Sequence, residues 1–332
     1  MITIENKRLD YLDVTKGIGI LLVILGHILS ESDFIYKIIY AFHMPLFFII
    51  AGYVYNENKY KNSTVSDFIK KKFKSYIIPY FRMALICLII FGVVLNFREN
   101  GINNTFYNQL IIYVKGIIYS KCYLETTPNC SPIWFLTCLF CMEIMFYFIF
   151  KYVNKKYIPI IICFIIGVVL NKINIINLPW NLDIALFALP FMYLGLIIKQ
   201  YNFLEKYKHE YTILFLVIFI ISVYFNTIIN FNGRNLGNII FTYSGAISMS
   251  LIVLYYSKYL EKSKVLKFFG KNTMFVIGYN YAINYLYLGY FYMFTFIDCW
   301  EIKFINITIM IAIFILIRNK IENFRVKQTI TD

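Results

Sequence analysis

Two ionisable residues stand in an otherwise apolar stretch near the N-terminus. The run DVTKGIGILLVILGH, residues 13–27, contains Lys16 and His27, eleven residues apart. This spacing is close to three helical turns, so both side chains fall on one helix face, about 16 Å apart along the axis. Asp13 lies on or near the same face. Because ionisable groups in a membrane-length segment are costly and usually face a cavity or a partner, this face is a candidate functional site.

A second histidine lies in the next apolar run, FHMPLFFIIAGYVY, which begins at Phe42. We expect His43 about seven residues into the returning helix, roughly 5–10 Å below the membrane surface. His27 is expected about three residues from the end of its own helix, at a comparable depth. A buried histidine can instead hydrogen-bond between helices, so for His43 catalysis and packing both remain open.

These residue types suit proton transfer from a hydroxyl group. Imidazole titrates near neutral pH, so it can deprotonate an acceptor hydroxyl as that oxygen attacks an activated acyl group. Basic residues at the cytosolic face suit a polyanionic donor, because ammonium groups bind phosphates as point charges. An extended coenzyme A is on the order of 20 Å long, comparable with the distance from Lys16 to His27. The candidate donor-binding residues are Lys16, Lys71, Lys74 and Arg82.

The basic run DFIKKKFKS, residues 67–75, has a second interpretation. Runs of this kind often form an amphipathic helix that lies on anionic lipid. Both interpretations remain open.

Composition favours an integral membrane protein. Of the 332 residues, 60% are hydrophobic and 15% are charged, whereas soluble domains are typically ~45–50% apolar. The net charge of +14 lies in short clusters between apolar runs rather than on one basic face, which argues against nucleic-acid binding. We expect one membrane domain over residues 1–332, with no appended soluble domain and with the first apolar run retained as a span.

Apolar runs of membrane-spanning length recur along the whole chain, which predicts an all-α, polytopic protein with about ten transmembrane helices. The predicted spans lie near residues 11–30, 36–55, 76–96, 132–151, 157–173, 181–199, 211–229, 236–256, 272–292 and 302–318.

The distribution of positive charge predicts the orientation. With the N-terminus in the cytoplasm, most of the 32 Lys and Arg residues fall in cytoplasmic segments, in accordance with the positive-inside rule. Both termini are then cytoplasmic. The outer segments hold Lys37, Arg98, Lys115, Lys121, Lys172, Arg234 and Lys303.

The seven cysteines form no metal-binding pattern. Cys138 and Cys141 lie in an apolar helical run, where packing is the expected role. Cys122 and Cys130 lie in a polar loop predicted to be external. A disulfide between them and two free thiols are both open.

Several stretches resemble a known family of membrane proteins. RLDYLDVTKGIGILLVILGH and FHMPLFFIIAGYVY are similar to the first two motifs of the acyltransferase 3 family, and SPIWFL, which contains Trp134, is similar to a third. NLDIALFALPFMYLGLIIK, with Asp183, and FFGKNTMFVIGYN, with Asn280, resemble later blocks of its fucose 4-O-acetylase-like branch.

The resemblance implies a bacterial inner-membrane enzyme of ten spans. It would move an acetyl group from cytosolic acetyl-CoA to a hydroxyl of a surface or lipid-linked glycan. By position, His27 would be the catalytic histidine and Lys16 its basic partner, where relatives often carry arginine. Lys71 and Lys74 would stand at a basic pair. Asn280 stands where relatives often carry histidine, and it would orient a sugar instead.

Two rival functions fit the same composition. Ten spans, polar residues within the membrane and Pro190 inside a helix also describe a transporter or a flippase for a glycan precursor. A scaffold protein of a glycan-assembly complex is a third class. The polar residues concentrate in the first hairpin rather than in two symmetry-related places, which favours the acyltransferase.

Overall fold

The computed structural model describes residues 9–121, 125–173, 177–291 and 299–331. In these ranges the chain is helical and contains no β-strand, apart from one isolated bridge between Asn230 and Asn235. The all-α prediction is therefore confirmed. The α-helices are α1 (Asp10–Gly26), α2 (Phe34–Tyr40), α3 (His43–Val54), α4 (Glu57–Lys61), α5 (Val65–Lys72), α6 (Ile78–Cys87), α7 (Asn96–Asn100), α8 (Asn104–Tyr119), α9 (Trp134–Tyr152), α10 (Tyr157–Ile173), α11 (Leu182–Gln200), α12 (Phe203–Lys206), α13 (His209–Phe225), α14 (Ile239–Ser257), α15 (Lys264–Lys271), α16 (Thr273–Leu286) and α17 (Trp300–Thr331).

Six helical segments within the described ranges are long and apolar enough to span a membrane: Phe34–Val54, Val65–Asn100, Ser131–Tyr152, Pro179–Gln200, Ile239–Ser257 and Trp300–Phe324. Helices α10 and α13 are apolar but shorter. The predicted count of about ten is thus not confirmed. The remaining two predicted spans correspond to α1, which has 17 residues and carries Asp10, Asp13 and Lys16, and to α16, which has 14 residues.

The last helix shows how the bundle meets lipid. Along α17, Ile307, Ile311 and Ile315 are fully buried, while Ile305 and Ile309 are about half exposed. A helix that is apolar on both faces is suited to an environment with protein on one side and hydrocarbon on the other.

Helix α1 lies inside the bundle, where it contacts α2, α3, α14, α15, α16 and α17. The closest approach is to α15. A Cβ on Gly17 would meet the Leu266 carbonyl oxygen at 2.1 Å, and one on Gly270 would meet the Asp13 carbonyl oxygen at 1.8 Å. Glycine at both positions therefore lets the two backbones touch, as small residues do between membrane helices. The contact fixes the Lys16 end of α1.

The second predicted span is broken rather than continuous. Helix α2 ends at Tyr40, Phe42 has a non-helical backbone (φ −144°, ψ −19°), and α3 begins at His43. Pro45 is the third residue of α3, in the first turn, where proline needs no backbone hydrogen bond. The break places His43 at a helix N-terminus rather than seven residues inside a helix.

Candidate active site at the C-terminal end of the first helix

A cavity of about 360 Å³ opens beside the C-terminal end of α1. It is built by segments far apart in the sequence, and both intramembrane histidines and the Trp134 indole line it. The other aromatic and polar side chains in its wall are Glu31, Tyr36, Tyr40, Phe47, Glu125, Ser131, Phe135, Asn230, Phe231, Asn232 and Tyr281. The volume lies in the lower part of the range of ligand pockets, ~300–1,000 Å³. This cavity is the candidate active site.

His27 is held by α16. The residue caps α1 with a helical backbone, so the helix ends at Gly26 rather than three residues beyond His27. Asn280 Nδ2 lies 2.7 Å from His27 Nδ1, and Asn284 Nδ2 donates to the His27 carbonyl oxygen at 3.2 Å. The Tyr281 ring lies 4.5 Å from the imidazole. Two amides and one ring from a single helix therefore fix both the backbone and the ring of His27.

Asn280 is itself almost completely buried, at 1% exposure. Its Oδ1 has no hydrogen-bond partner among the described residues. The same 2.7 Å contact can run in two directions, depending on which way the amide faces. In one direction Nδ2–H donates to Nδ1 of His27, and in the other Nδ1–H donates to Oδ1. The orientation of the Asn280 amide and the tautomer of His27 are therefore coupled.

His43 is buried, at 4% exposure, and its tautomer is set by the backbone. Its Nδ1 lies 2.8 Å from the carbonyl oxygen of Ile39. A carbonyl can only accept, so Nδ1 carries the hydrogen and Nε2 holds the lone pair of the neutral ring. The Tyr40 ring packs edge-on against this imidazole at 4.8 Å. His43 therefore offers a hydrogen-bond acceptor in the cavity wall next to His27.

A buried ion pair fixes another wall of the cavity. The Arg234 guanidinium bonds both oxygens of Asp183, at 3.0 and 3.3 Å. It also donates to Asn181 Oδ1 at 3.0 Å and to the Asn232 carbonyl oxygen at 2.7 Å. Asn230 and Asn232 line the cavity on the same loop. The ion pair thus ties this loop to the start of α11.

The Lys16 end of α1 carries a second group of charges. Lys16 Nζ lies 3.9 Å from Asp13 Oδ1, and Asp13 is 2% exposed whereas the Lys16 side chain is 32% exposed. Lys267 of α15 bonds Asp10 at 2.9 Å. Since α1 is continuous over Asp10–Gly26, Lys16 lies close to three turns from His27, as the spacing predicts.

The basic run after Thr64 is divided between an exposed and a buried side. Lys71 and Lys74 are exposed. Lys72, between them, is buried, pairs with Glu143 of α9 and lies within 6 Å of the rings of Tyr60, Phe68 and Tyr76. The two predicted donor-binding residues, Lys71 and Lys74, are therefore accessible to solvent. The lysine that faces inward is Lys72, which the sequence analysis did not identify.

Arg82 lies on α6 and is exposed. Arg318 donates to Asn272 Oδ1 at 2.8 Å and lies 5.3 Å from the Phe275 ring. Helices α6 and α17, which carry Arg82 and Arg318, both contact α16.

Comparison with protein families identifies the family to which the chain belongs. The model of the acyltransferase domain family called acyltransferase 3 matches residues 9–317, which is nearly the whole chain. The chain belongs to the acyltransferase 3 family. No curated protein and no solved structure matches it significantly.

Membership makes this protein a membrane acyltransferase. Its fold brings together the predicted residues His27, His43, Trp134 and Asn280. Lys16 and Asp13 lie at the other end of α1, and Asp183 acts on the cavity through Arg234. Lys71 lies in α5 and Lys74 in the π-helical segment Phe73–Ile77 that follows it. The fucose 4-O-acetylase-like branch stays a prediction.

The residues that sequence reasoning missed in this acyltransferase include Lys72, Glu143, Arg234 and Asn284, and also the cavity residues Glu31 and Glu125. Glu143 was the one acidic residue in the apolar run 132–151, which is a signal of a buried charge with a partner. Arg234 had no comparable indication in the sequence, because a single arginine in a polar loop is normally exposed to solvent.

No three His, Cys, Asp or Glu side chains come together as a metal site within the described parts of the acyltransferase. Cys138 and Cys141 lie in α9. Cys130 is fully buried. Cys122 lies outside the described residues, so the predicted alternatives for the Cys122–Cys130 pair stay open.

Proposed function

We propose that this acyltransferase moves an acetyl group from cytosolic acetyl-CoA to a hydroxyl of a cell-surface or exported polysaccharide sugar. The observation that carries the proposal is the cavity, where two histidines whose Nδ1 atoms are each held by a hydrogen-bonding partner share a wall with Trp134 and several amides. Aromatic faces with a few convergent polar groups suit a sugar ring.

The chemistry follows from the ring nitrogens. With the Asn280 amide turned so that its Oδ1 accepts from Nδ1–H of His27, Nε2 of His27 holds the lone pair and acts as general base. The acceptor oxygen forms a bond to the thioester carbonyl carbon while its proton passes to Nε2. The carbon–sulfur bond then breaks and the thiolate takes that proton, which gives an ester and the free thiol. His43 Nε2 accepts a hydrogen bond from the sugar and positions it.

The donor side rests on charge and length. Lys16, with Lys71, Lys74 and Arg82, would bind the phosphates and nucleotide of acetyl-CoA at the cytoplasmic face. A cofactor on the order of 20 Å long would then reach from Lys16 to His27, because three turns of α1 cover about the same distance.

The proposed setting is the inner membrane of a bacterium, with both termini in the cytoplasm and ten crossings in total. The ten comprise the six long helices, the shorter α10 and α13, and the two helices α1 and α16 that carry the site. The positive-inside rule gives the orientation.

Transfer of radiolabel from [¹⁴C-acetyl]-CoA to membrane glycan tests the proposal. We expect alkali-labile label on glycan in membranes that contain the protein and none in membranes that lack it. A transporter or a scaffold would leave the label on the coenzyme. Label that is absent from glycan despite normal insertion would contradict the proposed function.

A further inference from the structure

Within the described parts of the chain, the cavity wall carries negative charge and no positive charge. The carboxylates of Glu31 and Glu125 line it, and no Lys or Arg does so among the described residues. The chain segments 122–124, 174–176 and 292–298, whose structure is not described, contain no Lys or Arg in the sequence. Lys7 and Arg8 precede the opposite end of α1.

The one arginine behind the wall is already neutralised. Arg234 donates to the carbonyl oxygen of the lining residue Asn232, but both oxygens of Asp183 bind its guanidinium. Lys37 lies on α2 between the lining residues Tyr36 and Tyr40. Its own side chain does not line the cavity. Among the residues that the structure describes, a bound anion would therefore find no unneutralised cation in this wall.

The remaining wall suits a hydroxyl-rich ring. Tyr36 and Tyr40 stack at 3.8 Å and present a flat aromatic surface, and Trp134 adds another. The amides of Asn230 and Asn232 supply donors and acceptors without charge. Glu31 also lies 3.5 Å from the Tyr36 hydroxyl, so its carboxylate belongs to the same surface.

We propose that the acceptor is a sugar residue without negative charge, either uncharged or amine-bearing, and that Glu31 and Glu125 exclude uronic acids and other anionic sugars. Like charges that face each other across a binding site suppress wrong partners strongly. The inference rests on the proposed function, because it names the class of acceptor for the same site.

The charge of the labelled product tests this inference. Membranes shown by sugar analysis to contain both neutral and uronic-acid glycans are incubated with [¹⁴C-acetyl]-CoA, and the glycan is partially hydrolysed to acetylated monosaccharides. Electrophoresis at neutral pH separates anionic from uncharged and cationic sugars. Both carboxylates are exposed and solvent screens their repulsion, so we expect about two to five times more label on sugars without negative charge. Label mainly on anionic sugars would overturn the inference, whereas absence of any label on glycan would contradict the proposed function instead.

A charge-neutral double variant tests the two carboxylates directly. In Glu31→Gln, Glu125→Gln we expect the anionic share of the label to rise several-fold, because the repulsion is removed. Glu99→Gln, an exposed acid on α7 that does not line the cavity, is the matched control and should leave the share unchanged. An unchanged share in the double variant would show that these carboxylates do not set the selectivity.

Discussion

Breaking the ion pair between Asp183 and Arg234 should damage the bundle and the cavity together. The side chains are 2% and 5% exposed, and two hydrogen bonds of 3.0 and 3.3 Å join them. At about 4 Å between charge centres and an effective dielectric constant of ~20, the Coulomb attraction is about 4 kcal/mol. Removing one partner leaves a buried charge, for which the typical loss is ~3–5 kcal/mol. We therefore expect Asp183→Leu and Arg234→Met each to lower the free energy of unfolding by that amount.

The assay is denaturant unfolding of the purified protein in detergent micelles, with a double-mutant cycle. The double variant Asp183→Leu, Arg234→Met should be more stable than either single variant, because it leaves no unpaired charge. The matched control is the more exposed pair Lys156–Glu57, whose side chains are 27% and 26% exposed. Replacing Glu57 by Gln should cost at most ~1 kcal/mol.

The same variants report on function. Because Arg234 ties the loop with Asn230 and Asn232 to α11, its loss should raise the KM for the glycan acceptor and leave the KM for acetyl-CoA unchanged. Single variants that unfold as the wild type does, or a double variant that loses the sum of both single losses, would refute the reasoning.

Three further predictions concern the histidine, the donor and the topology. Asn280→Leu should lower kcat for acetyl transfer at least about tenfold, because it removes the side-chain contact to the His27 ring. Asn284→Leu, which removes only a hydrogen bond to the His27 backbone, should have a smaller effect. Equal effects of the two substitutions on kcat would contradict the role of Asn280 in setting the tautomer. Replacing Lys71 and Lys74 together by Gln should raise the KM for acetyl-CoA. Unchanged kinetics in normally inserted protein would indicate that the two lysines bind lipid and not the donor. Gln328→Cys should react with a membrane-impermeant thiol reagent only after the cells are opened; labelling in intact cells would overturn the even number of crossings.

The sequence predicted the local parts of the site because they depend on local spacing. Lys16 and His27 belong to one apolar run, and a helical period is enough to put them on one face. Gly17 is a small residue in an apolar helix, and such residues often mark a close contact between membrane helices. The partner of His27 is not readable in this way, because Asn280 lies on α16, and only the packing of α16 on α1 brings the amide to the imidazole.

One error and one omission of the sequence analysis have identifiable physical causes. The break before His43 had a signal in Pro45, since helices often begin one or two residues before a proline. In the run KKKFK, periodicity alone does not decide which lysine faces inward. Phe68 and Tyr76 stand four residues before and after Lys72, so these three side chains share a face, and the aromatic side of α5 packs inward.

The most direct test of the account is acetyl transfer by a His27→Ala variant. The variant, confirmed in the membrane at the wild-type level, is assayed with [¹⁴C-acetyl]-CoA and membrane glycan. The matched control is His209→Ala, because His209 contacts Tyr255, Tyr256 and Tyr259 and does not line the cavity. Loss of a general base typically costs ~10²–10⁴-fold, so we expect no detectable transfer by the His27 variant and normal transfer by the control. Retention of more than about a tenth of the wild-type rate by His27→Ala would contradict the role of His27 as the base.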